Sequence, residues 1–298
     1  MRKVFADAVS AHLKSNQGYF LTGDLGFMAL EKVRDTLGER FINAGVAEQN
    51  MIGVAAGLAR EGSQVFVYSI APFCYARPFE QIRNDVCMGQ LPVCLVGNGG
   101  GYGYGHMGPT HHGLEDCAVM NSIGVKVYVP AFDEDIEPIM KHLSGPSYLR
   151  LGYDDKPLAQ RVPNYAPWRL ILDGKAGVMV ALGPIASEAW KSLLSFPVEL
   201  RPALWSVCEF SSELIPPLFL DQVADQSLYV LEEHVMQGGL GMQLAYTLVS
   251  RQITVRHFKH KYALGYPTGT FGSQAFHRQQ CGLDARSIYE LIVNNDGI

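Results

Sequence analysis

Short, uniformly apolar runs separated by helical patterns constrain this chain more than any other feature. Tyr19–Thr22, Gln64–Ile70, Pro92–Gly97, Val125–Val129 and Tyr148–Leu151 read as strands, with helices expected over Ala47–Arg60, Phe79–Met88 and Asp133–Leu143. A strand that is apolar throughout has two faces to cover. Helical crossovers between parallel strands cover both. Ahead of them, Phe5, Val9 and Leu13 lie at i, i+4 and i+8 of an amphipathic helix over residues 3–15, closed near Gly18.

The pattern stops and restarts. Residues 154–167 (DDKPLAQRVPNYAP) carry three prolines and no periodicity. Beyond them Ala176–Leu182, Leu200–Val207, Ser227–Leu231 and Ile253–His257 read as strands, with helices near 185–195, 240–250 and 284–294, the last capped by Asp284. The expected architecture is therefore two α/β domains, each a mostly parallel sheet flanked by helices: residues 1–155, a linker over 156–167, and residues 168–298.

Composition narrows the class. A hydrophobic content of 48% supports two cores and excludes disorder. The net charge of −5 gives no electrostatic footprint for nucleic acid or an anionic membrane. Charged residues are only 18%, against about 25% in ordinary soluble domains, which suits a surface partly covered by another protein. The six cysteines form no Cys-x-x-Cys, so reduced thiols are expected rather than a disulfide frame or zinc ribbon. Asp7 and Lys14 interrupt the N-terminal segment, and the long uncharged run from Val86 to Leu114 is broken by glycines and prolines. Neither a leader nor a membrane span is expected, and the chain reads as cytoplasmic.

Three segments could carry chemistry. Residues 43–60 (NAGVAEQNMIGVAAGLAR) put Glu48 in the first turn of a helix rich in Ala and Gly, small enough for another backbone or a flat ligand to approach. On position alone, Glu48 simply complements the helix N-terminus. Residues 97–113 (GNGGGYGYGHMGPTHHG) hold seven glycines among positions 97–108. They match neither the dinucleotide fingerprint nor a P-loop, so close approach or mobility explains them better than phosphate binding. They end in His111 and His112, whose side chains diverge as neighbours, without a carboxylate or Cys at ligand spacing for zinc. Residues 68–86 (YSIAPFCYARPFEQIRNDV) place Phe73 and Tyr75 after a strand end, where α/β sheets bind ligands, although aromatics there are usually core.

Taken in order, and followed by LEEHVMQGGLG at residues 231–241, these segments resemble the C-terminal half of the thiamine-diphosphate enzymes of the transketolase family: the pyrimidine-binding domain and the small C-terminal domain. The resemblance spans about residues 2–295. It implies that Glu48 hydrogen-bonds N1′ of the cofactor's aminopyrimidine, favouring the imino tautomer whose N4′ takes the proton from thiazolium C2. It also implies that Phe73 or Tyr75 stacks on the pyrimidine, and that His111 hydrogen-bonds the substrate carbonyl oxygen as it becomes an alkoxide. His106 and Met107 fall in the substrate-binding part of the loop, and His112 replaces the usual glutamine.

The family's diphosphate anchor, a Gly-Asp-Gly motif with a following Asn, is not matched. TGDLGF at residues 22–27 lacks the second glycine, Asn50 sits inside the Glu48 helix, and Asp24 reads as a loop residue facing a partner. No metal ligand is assigned to this chain. Thiamine diphosphate and Mg²⁺ (or Ca²⁺) would be held mainly by a separate N-terminal, diphosphate-binding chain, in a heterotetramer with two copies of each. The implied reaction is transfer of a two-carbon ketol or acyl unit to an aldehyde. The beta chain of a 2-oxoacid dehydrogenase and a non-catalytic assembly partner of the same fold are the alternatives. Ungapped through the loop, Met107 stands where transketolases carry an aspartate, Gly99 where they carry a phosphate-binding histidine, and Tyr153 near a phosphate-binding arginine. These departures imply an acceptor other than a short sugar phosphate, such as an unphosphorylated or nucleotide-linked sugar, unless Arg77 or Arg150 supplies the charge.

Overall fold

In a computed structural model, residues 1–266 and 269–296 are described. The first half carries β1 (Gly18–Thr22), β2 (Phe41–Asn43), β3 (Gln64–Ile70), β4 (Val93–Asn98), β5 (Lys126–Tyr128) and β6 (Ser147–Leu151), wholly parallel in the order β2-β1-β3-β4-β6-β5. Its helices are α1 (Arg2–Ser15), α2 (Glu31–Leu37), α3 (Glu48–Arg60), α4 (Ala71–Tyr75), α5 (Phe79–Gln81), α6 (Asp116–Ser122) and α7 (Ile136–His142).

Strand β3 shows why the sheet is covered twice. Val65 and Val67 join Met51, Ile52 and Ala55 of α3 in one apolar cluster, whereas Phe66 and Tyr68 join Phe5, Val9 and Leu13 of α1 in another. Strand β4 repeats the division, Val93 and Leu95 against Cys94 and Val96. Each buried Val, Leu or Phe contributes roughly 1.5–3 kcal/mol, so the period-2 split fixes the register of the central strands.

The second half carries β7 (Trp168–Leu172), β8 (Val178–Leu182), β9 (Ala203–Val207), β10 (Ser227–Leu231) and β11 (His257–Lys261), in the order β11-β10-β8-β9-β7. Around them lie α8 (Ala186–Leu193), α9 (Pro217–Val223), α10 (Leu240–Ser250), α11 (Gln274–Cys281) and α12 (Ala285–Asp296). Asp284 accepts from the backbone N–H of Arg286 and Ser287 and so caps α12. Val178 and Val180 of β8 belong to the same apolar cluster as the α3 face of the first sheet. The halves are stitched further where Val129 N–H donates to the Cys208 carbonyl at 2.7 Å and Phe210 N–H to that of Val127 at 2.9 Å. Residues 156–167 carry no strand or helix.

Several elements differ from the sequence reading. The strand expected over Ile253–His257 begins only at His257; Ile253 and Val255 pack against the core from the approach instead. Its residues, HFKHK, are polar because β11 is an edge strand bonded to β10 alone. Edge strands β2, only three residues long, and β7, whose WRLIL is apolar at four of its five positions and follows the proline-rich stretch directly, are absent from the sequence reading, and β7 runs antiparallel to β9. The helix expected over Phe79–Met88 is one short α-turn leading into a π-helical turn at Ile82–Cys87. Phe73 and Tyr75, after the end of β3, lie on the short helix α4. No helix among the described residues is long and apolar enough to cross a membrane.

Candidate active site

The site lies at the C-terminal end of the first sheet, where the segments after β2, β3 and β4 converge. Glu48 opens α3 and is only 5% exposed. Its carboxylate does not cap the helix. It accepts a hydrogen bond from Nη1 of Arg77 at 2.6 Å, and the Arg77 guanidinium lies 3.8 Å over the ring of Phe73. The Phe73 ring in turn meets the edge of His111, with centroids 5.0 Å apart. Residues separated by 63 positions, Glu48 to His111, thus form one row of carboxylate, guanidinium, aromatic ring and imidazole. An open cleft of about 430 Å³ is lined by Val46, Glu48, Gln49, Asn50 and Arg77.

Thr110 Oγ1 lies 2.9 Å from Nδ1 of His111, which fixes the plane of the ring and leaves Nε2 available to an incoming oxygen. Tyr104 flanks His111 on its other side, centroids 6.5 Å apart, and its hydroxyl accepts from Asn98 Nδ2 at 2.5 Å. Burial raises the Tyr104 phenol above its usual range, so it acts there as a neutral hydroxyl. His106 and Met107 are exposed on the preceding turn of the loop, outside this row.

The glycines are explained by close packing. A Cβ on Gly100 would lie 2.3 Å from Nε of Arg150, and one on Gly101, at φ +66°, would lie 2.4 Å from Oε1 of Glu233. The loop is therefore clamped between the halves. Arg150 is buried, paired with Asp116 at 2.9 Å and donating to the carbonyls of Gly113 and Glu233. It is not available to a substrate phosphate. Glu233 accepts from Tyr102 N–H, Gln274 and Arg278.

The two aromatic candidates separate. Tyr75 is buried and donates its hydroxyl to Glu115 Oε2 at 3.0 Å, with burial and the nearby Asp116 and Glu115 carboxylates pushing its phenol well above the usual range. Phe73 alone of the pair presents its ring to the row. His112 turns away from His111 into the seam, its ring edge-on to His277 at 4.9 Å and beside Tyr102 and Tyr266. Burial holds the His112 and His277 imidazoles below their ordinary value. Arg77 as the partner of Glu48, and Tyr104 beside His111, have no signal in the sequence: both contacts are made only by the fold.

Asp24 is exposed in a neighbouring cleft of about 480 Å³, held by a reciprocal pair of hydrogen bonds with Asn43. Among the described residues, one group of donors lies close enough for a metal: Asp116, Cys117 and His234, all buried. Its atoms are already committed, Asp116 to Arg150 and Tyr148, and His234 between the Val235 carbonyl and the Ala118 N–H. That set, with a guanidinium paired to its one carboxylate, does not suit a cation carrying a diphosphate.

The carboxylate–aromatic slot does fit an aminopyrimidine. It already accepts a flat, delocalised group that stacks on Phe73 and donates an in-plane N–H to Glu48.

Comparison with known proteins places the chain in a family. Residues 1–152 match the family described as "Transketolase, pyrimidine binding domain". The chain is 29% identical over 270 residues to one of the subunits of apulose-4-phosphate transketolase from Phocaeicola vulgatus, covering 86% of this chain and 85% of that protein. It is 29% identical to a putative transketolase C-terminal section of Methanocaldococcus jannaschii, covering 86% and 82%. Among solved structures, one described as "Split gene transketolase, inactive beta4 tetramer" superposes with a TM-score of 0.81 at 26% identity, covering 98% of this chain and 96% of that one.

Proposed function

The chain belongs to the transketolase family and corresponds to the C-terminal half of a split transketolase-like enzyme. From that premise we propose that it supplies the aminopyrimidine half of a thiamine-diphosphate site. A second, diphosphate-binding chain completes that site, and the assembly transfers a two-carbon ketol or acyl unit to an aldehyde acceptor derived from a sugar.

The observation that carries this reading is the slot formed by Glu48 and Phe73 next to His111. When bound, the cofactor supplies a thiazolium C2 that becomes nucleophilic on losing its proton. Glu48 holds the proton at pyrimidine N1′ from a buried position where little water competes. Phe73 sets the plane of the pyrimidine by stacking. His111, oriented through Nδ1 by Thr110, donates from Nε2 to the substrate oxygen as charge builds there; such a donor is typically worth about 10²–10³ in rate.

Two features support dependence on a partner. Gly53 and Gly57 on α3 face open space. Phe27, Met28 and Val46 are more than two-thirds exposed beside the clefts. The structural relative described as an inactive beta4 tetramer is consistent with a lone chain that does not turn over. In the expected assembly, two copies of each chain share two sites, and Mg²⁺ or Ca²⁺ sits with the partner's diphosphate ligands. The lack of charge at Gly99, Met107 and Tyr153, with Arg150 buried, favours an acceptor that is not a short sugar phosphate.

Calorimetric titration of the isolated chain with thiamine diphosphate and Mg²⁺ tests the split site. No binding in the micromolar range is expected. Micromolar binding by this chain alone contradicts the proposal.

A further inference from the structure

The arginine in the slot is the part of the site that the proposed chemistry does not use. Arg77 satisfies both surfaces that an aminopyrimidine needs. Its guanidinium is flat, lies 3.8 Å above the Phe73 ring, and presents an N–H to Glu48 Oε1 at 2.6 Å. A pyrimidine stacked on Phe73 and bonded to Glu48 needs the same ring face and the same carboxylate. Guanidinium and cofactor cannot hold them together.

We infer that Arg77 is a resident placeholder, occupying the pyrimidine position until the cofactor displaces it. The inference rests on the reading of the Glu48 slot given above. Two further observations support displacement rather than a permanent pair. The Arg77 side chain is 45% exposed against 5% for Glu48, so it can swing to water without opening the core. Its ion pair with Glu48 and its stack on Phe73 are its whole set of polar and ring contacts among the described residues, so nothing else ties it down. A permanent structural pair would be expected to carry further bonds, as Arg150 does with Asp116 and two carbonyls.

The placeholder serves the empty state. A buried carboxylate with no partner is costly, and Arg77 supplies that partner while the slot is vacant. Loading is then an exchange of one flat N–H donor for another. The affinity of the slot for a pyrimidine is lowered by the fraction of time Arg77 holds it. Removing Arg77 therefore has two opposite effects: the empty chain becomes less stable, and its slot binds a pyrimidine more tightly. A merely structural ion pair gives the first effect without the second.

The test uses the isolated chain and the pyrimidine half of thiamine alone, 4-amino-5-hydroxymethyl-2-methylpyrimidine, followed by ligand-observed NMR with thermal melting in parallel. Arg77→Ala is expected to melt lower than the wild type yet bind the pyrimidine tighter by about fivefold or more, the gain that follows if Arg77 fills the slot most of the time. Arg77→Lys, which keeps the charge but cannot lie flat on Phe73, is expected to keep the wild-type fold and show a smaller gain. Glu48→Gln is expected to abolish the gain in the Arg77→Ala background. Binding that depends on Glu48 but is equal or weaker in both Arg77 variants overturns the placeholder and leaves the Glu48 slot standing. Absence of Glu48-dependent binding in every variant overturns the slot, and the placeholder with it.

Discussion

Arg150→Met should be among the most destabilising single changes in this chain. Arg150 is 4% exposed, Asp116 is fully buried, and they pair at 2.9 Å. Burial alone pulls down the basicity of Arg150, but the Asp116 carboxylate more than offsets it and the guanidinium stays charged. Without it, Asp116 keeps the hydroxyl of Tyr148, at 2.7 Å, and the neighbouring Cys117 thiol, neither of them charged. Stranding one member of a buried pair costs about 3–5 kcal/mol. The Gly113 carbonyl loses Arg150 but keeps the N–H of Gly101, whereas the Glu233 carbonyl loses the arginine that held it, for about 1–3 kcal/mol more. Hydrophobic filling by Met returns part of this. A net loss of roughly 4–6 kcal/mol at about 2–4 °C per kcal/mol lowers the melting temperature by roughly 10–20 °C. Asp116→Asn with Arg150→Met removes the stranded charge as well, and should recover more than half of that drop. Melting followed by circular dichroism reads both. A single variant within about 2 °C of wild type refutes the reasoning, as does a double variant that melts no higher than the single.

Three more outcomes follow from the seam and the core. Gly101→Ala places a methyl carbon 2.4 Å from Glu233 Oε1 at a positive φ, and should cost about 1–3 kcal/mol in chemical denaturation; a neutral result contradicts the clamped loop. His112 and His277 are neutral in the fold because burial lowers their affinity for protons, so below the ordinary value of 6.5 the unfolded chain binds protons that the folded chain does not. Stability should therefore fall as pH drops through 6.5 toward 5, and His277→Gln should flatten the slope of melting temperature against pH; an unchanged slope contradicts this. All six cysteines are buried, with the Cys94 thiol pushed up to about 12, so a disulfide reagent should label the native chain slowly and the unfolded chain at once. Rapid native labelling overturns that burial.

The two-sided central strands and the Glu48 helix were legible because each depends on local pattern. β3 is apolar at every other position on both faces, and α3 carries its small residues at helical spacing. Edge strand β11 was not, because one open edge lets HFKHK serve as a strand and hydrophobic periodicity is then silent. Within the site, sequence order was enough to nominate Glu48, Phe73 and His111, but not to separate Phe73 from Tyr75. That choice is made by Glu115, which draws the Tyr75 hydroxyl inward. The Arg77–Glu48 pair spans 29 positions and two crossovers, and no spacing rule reaches it.

Glu48 is central to the proposed site, as the group that would share a proton with the cofactor's pyrimidine. Its most direct test is the rate of thiazolium C2 proton exchange, followed by NMR, in the complex assembled with a diphosphate-binding partner. Glu48→Gln keeps the shape of the side chain and should slow exchange by about 10²–10⁴, the usual worth of a general acid–base contact. Exchange at the wild-type rate in that variant would leave Glu48 as nothing more than the first residue of its helix.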